Sequence, residues 1–180
     1  TLPRIEGVAA VDYTRAVRRI CRQVGDCLVG LALGVGGAYG FCHIGVLKVI
    51  EEEKIPIDII SGSNIGAVIG SLWAIGKSSQ EILEIAKSFA SPNLFFSLID
   101  LTFPYMGFIK GSKLMRFLSK YLGDKTFQDV NLPLKIIASD IRKKEAVVIE
   151  QGRLLDAVMA SSAIPGVFYP FRRLEDFLVN

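Results

Sequence analysis

Ile57-Asp58-Ile59-Ile60-Ser61-Gly62-Ser63-Asn64-Ile65-Gly66-Ala67-Val68-Ile69-Gly70 is the stretch, residues 57–70, whose reading decides the fold. Ile57 to Ser61 is a short apolar, β-branched run, the pattern of a buried strand. A tight glycine turn follows, and a helix from about Ile65 to Ile75 starts with almost no connecting residues; Gly76 ends it. Strand, sharp turn and helix, with glycines on both sides of the tip, are the setting of a G-x-S-x-G nucleophile elbow. The place of the serine is taken by Asn64. The tip of such an elbow is strained, often at φ > 0, and asparagine tolerates that region better than most residues. The turn can therefore survive the replacement. The chemistry cannot, because a carboxamide has no hydroxyl to activate. Ser63 is adjacent, but one residue earlier its side chain should point elsewhere.

Upstream, Leu28 to Leu33 reads as another buried strand, followed by the loop Gly34-Val35-Gly36-Gly37-Ala38-Tyr39-Gly40. A helix from about Phe41 to Glu53 places Ile44, Leu47 and Ile50 on one face. Strand–helix–strand–helix with short connections predicts a parallel sheet with right-handed crossovers. Bare glycines let backbone N–H groups converge at a helix N-terminus, where they can hold a phosphate or a developing oxyanion. A dinucleotide fingerprint would need glycine where Tyr39 stands, and the lysine and hydroxyl of a P-loop are absent. An oxyanion hole is the better reading, and a tight turn without ligand is the alternative. His43, the lone histidine, reads as structural.

Downstream, Ser78 and Glu81 have capping-box spacing and open a helix to about Phe89. Leu94 to Ile109 is apolar and irregular, either a cap or interfacial surface or packing for the domain's own core. Ser112 to Leu122 reads as an amphipathic helix, Leu134 to Ser139 and Glu145 to Glu150 as strands, and Leu154 to Ser161 as a helix ended by Ile164-Pro165-Gly166. Phe177 to Val179 begins a last strand before Asn180. Asp140 reads as turn-forming, Cys42 as a buried thiol and Trp73 as core. Residues 1–10 read as a linker or arm. Asp12 to Val24 reads as a short amphipathic helix with Ala16, Val17, Ile20 and Val24 at helical spacing and four arginines between them. Those arginines are either a solvated face or contacts for lipid headgroups. The expected organisation is an arm and short helix over 1–26 and one domain over 27–180.

The chain has 180 residues, 51% hydrophobic, with a mean hydropathy of +0.41. That is enough for one sizeable core and suggests strands buried on both faces. No run of about 18 apolar residues suggests a membrane-spanning helix, and no signal peptide is visible. A net charge of +3, from scattered residues, does not argue for nucleic acid. It is compatible with an anionic membrane surface and equally with a solvated one. Cys21, Cys27 and Cys42 form no metal-ligand spacing, and their odd number favours a reducing compartment. A cytoplasmic protein, peripheral at a membrane at most, is expected, without metal or cofactor. Oligomeric state is not set by these features.

Several runs taken together resemble one family. Gly30-Leu31-Ala32-Leu33-Gly34, the glycine loop and Phe41-Cys42-His43-Ile44-Gly45-Val46-Leu47 are similar to the opening of the bacterial patatin-like phospholipases, in the subgroup that also contains neuropathy target esterase. The likeness continues through Ile57-Asp58-Ile59-Ile60-Ser61-Gly62 and Gly66-Ala67-Val68-Ile69-Gly70. It returns in Ala138-Ser139-Asp140 and in Ala160-Ser161-Ser162-Ala163-Ile164-Pro165-Gly166-Val167-Phe168. The resemblance implies a three-layer α/β sandwich with a mainly parallel central sheet flanked by helices. It implies hydrolysis of lipid acyl esters by a Ser–Asp dyad, with the nucleophile at 64 and the base at 180, after Leu178-Val179. Both positions hold asparagine. The implied oxyanion hole is Gly36, Gly37 and Ile65, and the motif glycines are Gly34, Gly40, Gly62 and Gly66. Val35 stands where the family usually has glycine and Tyr39 where it has a basic residue. The family's domain normally continues beyond the last strand. The expectation is a lipid acyl hydrolase scaffold with impaired catalysis; the alternative is a non-catalytic lipid-binding or regulatory domain.

Overall fold

A computed structural model describes residues 13–90, 100–102, 107–173 and 176–180. The expectations for residues 1–10, and for 94–99 and 103–106 of the apolar stretch, lie outside the described residues. Helix α1 spans Tyr13–Val24, strand β1 Gly30–Leu33, helix α2 Cys42–Glu52, strand β2 Ile59–Gly62, helix α3 Ile65–Ala74 and helix α4 Ser79–Ala90. Strand β3 (Gly107–Ile109), helix α5 (Ser112–Leu122), strands β4 (Leu134–Asp140) and β5 (Glu145–Ile149) and helix α6 (Leu154–Ser162) follow. The chain closes with β6 (Gly166–Phe168), β7 (Phe171–Arg173) and β8 (Asp176–Val179). The loop before α2 winds into a 3-10 turn over Gly37–Phe41, so that helix starts later and more tightly than its apolar spacing suggests.

The main sheet has six strands in the order β1-β2-β4-β8-β7, with β5 on β4. The pairs β1–β2 and β2–β4 are parallel, whereas β8 and β5 run antiparallel to β4. β7 is antiparallel to β8, so β1, β2, β4 and β7 point one way. The result is the helix-flanked α/β sheet expected, but mixed rather than mainly parallel, since two of its five strand pairings are parallel and three are antiparallel. β3 and β6 form a separate parallel pair.

Strand β4 alternates strictly: Leu134, Ile136 and Ala138 are buried, and Lys135, Ile137 and Ser139 are half-buried. The buried face joins Leu33 and Ile60, and α3 packs across β1, β2 and β4. Helix α6, apolar nearly all round, packs against α3 and β4. The other face carries the ion pair Lys135–Glu150 at 3.0 Å and is only half-buried along β4, less covered than composition suggested, whereas β8 buries Leu178 and Val179 on opposite faces. The capping box forms: the Ser78 N–H and hydroxyl donate to Glu81 Oε2, and the Glu81 N–H returns a bond to Ser78 Oγ.

Helix α1 is docked by its polar side. Arg22 donates from Nε and Nη2 to the Asp58 carboxylate, at 2.7 and 2.6 Å, and the Val29 N–H adds a third bond at 3.0 Å. One buried carboxylate thereby ties α1 to the starts of β1 and β2. Val17, Ile20 and Val24 are left exposed. A helical period announces an apolar stripe but does not say what will cover it.

The hydrogen bonds from Arg22 hold the Asp58 carboxyl at about 2, against an ordinary 3.8, although burial pushes the other way. A depressed carboxyl pKa stabilises the folded state above the unfolded value and loses that contribution as pH falls toward the folded one. Urea midpoints should therefore decline between pH 4 and about 2 more steeply in the parent than in Asp58→Asn. At pH 7 that variant should be less stable by ~2–3 kcal/mol. Two glycines give a second contrast. A Cβ at Gly66 would lie 2.0 Å from the Leu33 carbonyl oxygen, whereas one at Gly45, within α2, meets nothing within 4 Å. Gly66→Ala should cost more than ~3 kcal/mol or abolish folding, and Gly45→Ala should stabilise by ~0.5–1 kcal/mol. Thermal and urea unfolding check both.

Candidate active site

The turn after β2 is an elbow. Asn64 caps α3 with φ 55 and ψ −122, a region that costs a non-glycine residue energy and persists only where its surroundings impose it. The surroundings here are backbone. A Cβ at Gly62 would come within 2.6 Å of the Gly66 carbonyl oxygen, and one at Gly66 would strike the end of β1. Glycine on both sides of the tip lets the first turn of α3 press against the ends of β1 and β2. The positive φ expected at position 64 is present. Asn64 is buried, and its N–H donates to Ser161 Oγ at 2.9 Å.

The sheet brings residue 180 to the same place. β2 and β5 both pair with Ile136, and β5 and β8 both pair with Ser139 and Asp140. β2 and β8 therefore share one edge of β4, β2 along its first half and β8 along its last residues. Where β2 stops, the chain arriving from β8 ends against it. The Asn180 N–H donates to the Ala163 carbonyl at 2.8 Å, and its Nδ2 donates to the Ser161 carbonyl at 2.7 Å and to Ser63 Oγ at 3.3 Å. Ser63 thus faces residue 180 rather than the cavity described below, in keeping with its place one residue before the tip.

Ser161 joins the two asparagines. Its hydroxyl receives the Asn64 N–H and donates to the Ile137 carbonyl at 2.5 Å, while its own carbonyl receives Asn180 Nδ2. Sequence reading gave Ser161 no role. The available signal was a serine in an otherwise apolar helix, where a buried hydroxyl has to find partners.

The glycine loop closes the other side. A Cβ at Gly36 would lie 2.8 Å from the Gly40 nitrogen, and one at Gly40 would lie 2.0 Å from Ile65 Cγ2, so this loop packs directly on the elbow. Gly37 has φ 50. Gly34 has open space where a Cβ would be; its carbonyl accepts from His43 Nε2 at 3.0 Å, a structural role for the lone histidine. Val35 and Tyr39, the two departures, are exposed side chains on the loop's outer surface. Asp140 Oδ1 accepts from the N–H groups of Arg142 and Lys143, which makes it the turn-former expected. Cys42 is exposed, contrary to expectation, because it lies off the face on which α2 buries Ile44, Leu47 and Ile50. Trp73 packs against the core and donates from its indole N–H to Glu51 Oε1 at 2.8 Å.

An apolar cavity of about 570 Å³ opens at the elbow. Asn64, Ile65 and Gly37 stand at its wall together with Phe41, Phe89 and Phe117, and Ser162 is among the few polar residues lining it. Such a volume and lining suit an apolar ligand with a polar group at one end. Gly36 lies just outside the lining. A second, more polar cavity of about 740 Å³ sits among Arg18, Glu51, Lys54, Trp73 and Lys77, and it shares no lining residue with the first. Among the described residues no group of three or more His, Cys, Asp or Glu could hold a metal ion.

Known proteins resemble this chain in sequence and fold. The family described as patatin-like phospholipase matches residues 31–176. Lysophospholipase nte1 of Emericella nidulans is 34% identical over 161 residues, which are 88% of this chain and 10% of that protein. Human patatin-like phospholipase domain-containing protein 6 is 33% identical over 154 residues, 84% of this chain and 11% of that one. Neuropathy target esterase sws of Drosophila grimshawi is 32% identical over 160 residues, 88% and 11% of the two chains. The chain thus spans 10–11% of the length of these relatives. Among solved structures, the type III effector protein ExoU shares the fold with a TM-score of 0.54 at 15% identity, covering 78% of this chain and 39% of its own. The match runs through the glycine loop, the elbow and the Ser161 helix, and the chain belongs to the patatin-like phospholipase family.

Proposed function

We propose that the protein is a lipid acyl hydrolase scaffold whose cavity receives the acyl chain of a lipid or acyl ester, and whose asparagines at 64 and 180 leave hydrolysis impaired. The observation that carries this reading is Asn64, held at φ 55 on an elbow tip that lines an apolar cavity of about 570 Å³. In the hydrolytic form of such a site, a serine at 64 attacks the ester carbonyl and an aspartate at 180 takes the serine's proton. Backbone N–H groups of Gly36, Gly37 and Ile65 hold the oxyanion, the alcohol leaves, and water releases the acyl group. Gly37 and Ile65 support this assignment by lining the same cavity as Asn64. Ile65 opens α3, where the first N–H groups lack partners within the helix. A carboxamide neither attacks as an alkoxide nor accepts a proton near neutrality, so both halves of the dyad chemistry are missing.

The second reading is a non-catalytic lipid-binding or regulatory domain, and Asn180 favours it. Its Nδ2 donates to a carbonyl oxygen at 2.7 Å. An ionised aspartate in the same pose would set two acceptors against each other, so the amide suits the position it holds.

Turnover separates the two readings. Asn64→Ser with Asn180→Asp should hydrolyse a short-chain aryl ester and a phospholipid at least ~10³-fold faster than the parent, which should show only residual catalysis. A folded double variant without turnover, beside a parent that still binds lipid, supports the non-catalytic domain. Neither turnover nor lipid binding would count against both readings.

A further inference from the structure

The cavity opens beside a group of large apolar side chains that the fold leaves in solvent. Tyr39 is 89% exposed, Leu101 80% and Phe108 57%, and Ile164 and Val167 are exposed as well. Their positions follow from the chain. Leu101 bridges to Ile109, which lines the cavity, and Phe108 precedes it. Ile164 and Val167 line the cavity themselves, and Tyr39 stands between Ala38 and Phe41, which also line it. Single exposed apolar residues are ordinary on a protein surface, but a group around one apolar opening marks an interaction site.

The same end of the sheet carries positive charge. The parallel strands all direct their carboxyl ends to the edge where the elbow and glycine loop lie. The turn after β4 at that edge reads Ile141-Arg142-Lys143-Lys144, and all four residues are exposed. Lys143 pairs with Asp176 at 2.9 Å and lies 3.7 Å from Asp140, so its charge is offset, and the positive charge of this turn rests on Arg142, 4.3 Å over the Phe177 ring, and Lys144. Lys110, directly after β3, is also exposed. Apolar and aromatic side chains backed by cations match the two layers of an anionic lipid surface, acyl chains beneath phosphates.

We propose that this carboxyl edge docks on an anionic lipid bilayer with Leu101, Phe108 and Tyr39 entering its surface. An acyl chain then passes from the bilayer into the cavity without crossing water. The inference rests on the acyl-chain reading of that cavity. It also excludes a competitor. The exposed stripe of α1 lies at the amino ends of β1 and β2, where Arg22 binds Asp58, at the opposite end of these strands. One flat bilayer cannot receive both surfaces.

Flotation with phosphatidylcholine vesicles, with and without phosphatidylserine, tests the orientation. The parent should float with the mixed vesicles and less with the neutral ones. Leu101→Ser with Phe108→Ser should lower vesicle binding by about tenfold or more, with the thermal unfolding midpoint retained. Val17→Ser with Ile20→Ser should leave binding unchanged. Loss of binding in the α1 pair but not in the rim pair overturns the proposal, as does a parent that ignores vesicles. A parent dimer that the rim pair dissolves would assign the rim to a second copy and overturn it too. A parent that binds a soluble short-chain acyl ester but no vesicle refutes docking alone; one that binds neither refutes the acyl-chain reading with it.

Discussion

The first turn of α3 lies against the carbonyl at the end of β1, so close that a methyl group at residue 66 would sit 2.0 Å from the Leu33 oxygen. Much of the site depends on this approach. It forces the chain to reverse within Ser63 and Asn64 and to carry a positive φ at residue 64. It brings the amino end of α3 into the space between the ends of β1 and β2, and it seats Ile65 against Gly40, which ties the glycine loop to the elbow. Glycine at 40, 62 and 66 is therefore a packing requirement before it is a chemical one. That is why the elbow persists with asparagine at its tip: its shape is set by neighbouring backbone, not by the side chain it presents.

Ser161 is the second point of convergence. One hydroxyl and one carbonyl connect the elbow, β4 and residue 180, three segments distant in sequence. Residue 180 reaches it because β8 continues along the edge of β4 that β2 vacates. The two asparagines are thus neighbours through a common partner. Residue 64 meets Ser161 through its backbone N–H and residue 180 through its side-chain amide.

Some of this was legible from the residues alone. The β-branched run before Gly62, the glycines around Asn64 and the Ser78–Glu81 spacing each have a local physical meaning, and the structure realises all three. Other features were not legible because they depend on distant partners. The strands β3, β6 and β7 have three residues each, too few for alternation to register. The role of Ser161 needs a contact across 97 positions. Helix α1 was readable as amphipathic, but a buried carboxylate at Asp58 attracts its arginine side and turns the apolar stripe outward. Cys42 reads as a core thiol from its apolar neighbours, but α2 turns Ile44, Leu47 and Ile50 inward and Cys42 out.

The central claim is that a competent elbow and oxyanion site remain and that only the reacting side chains are absent. Covalent labelling by a long-chain alkyl fluorophosphonate tests it most directly, because the reagent needs an activated serine, anion-holding N–H groups and room for its chain. Mass spectrometry of the parent should find no adduct, and the Asn64→Ser, Asn180→Asp protein should carry one, on the peptide containing residue 64 and at that residue. A folded double variant that stays unlabelled, or a parent labelled at Ser63, would contradict the account.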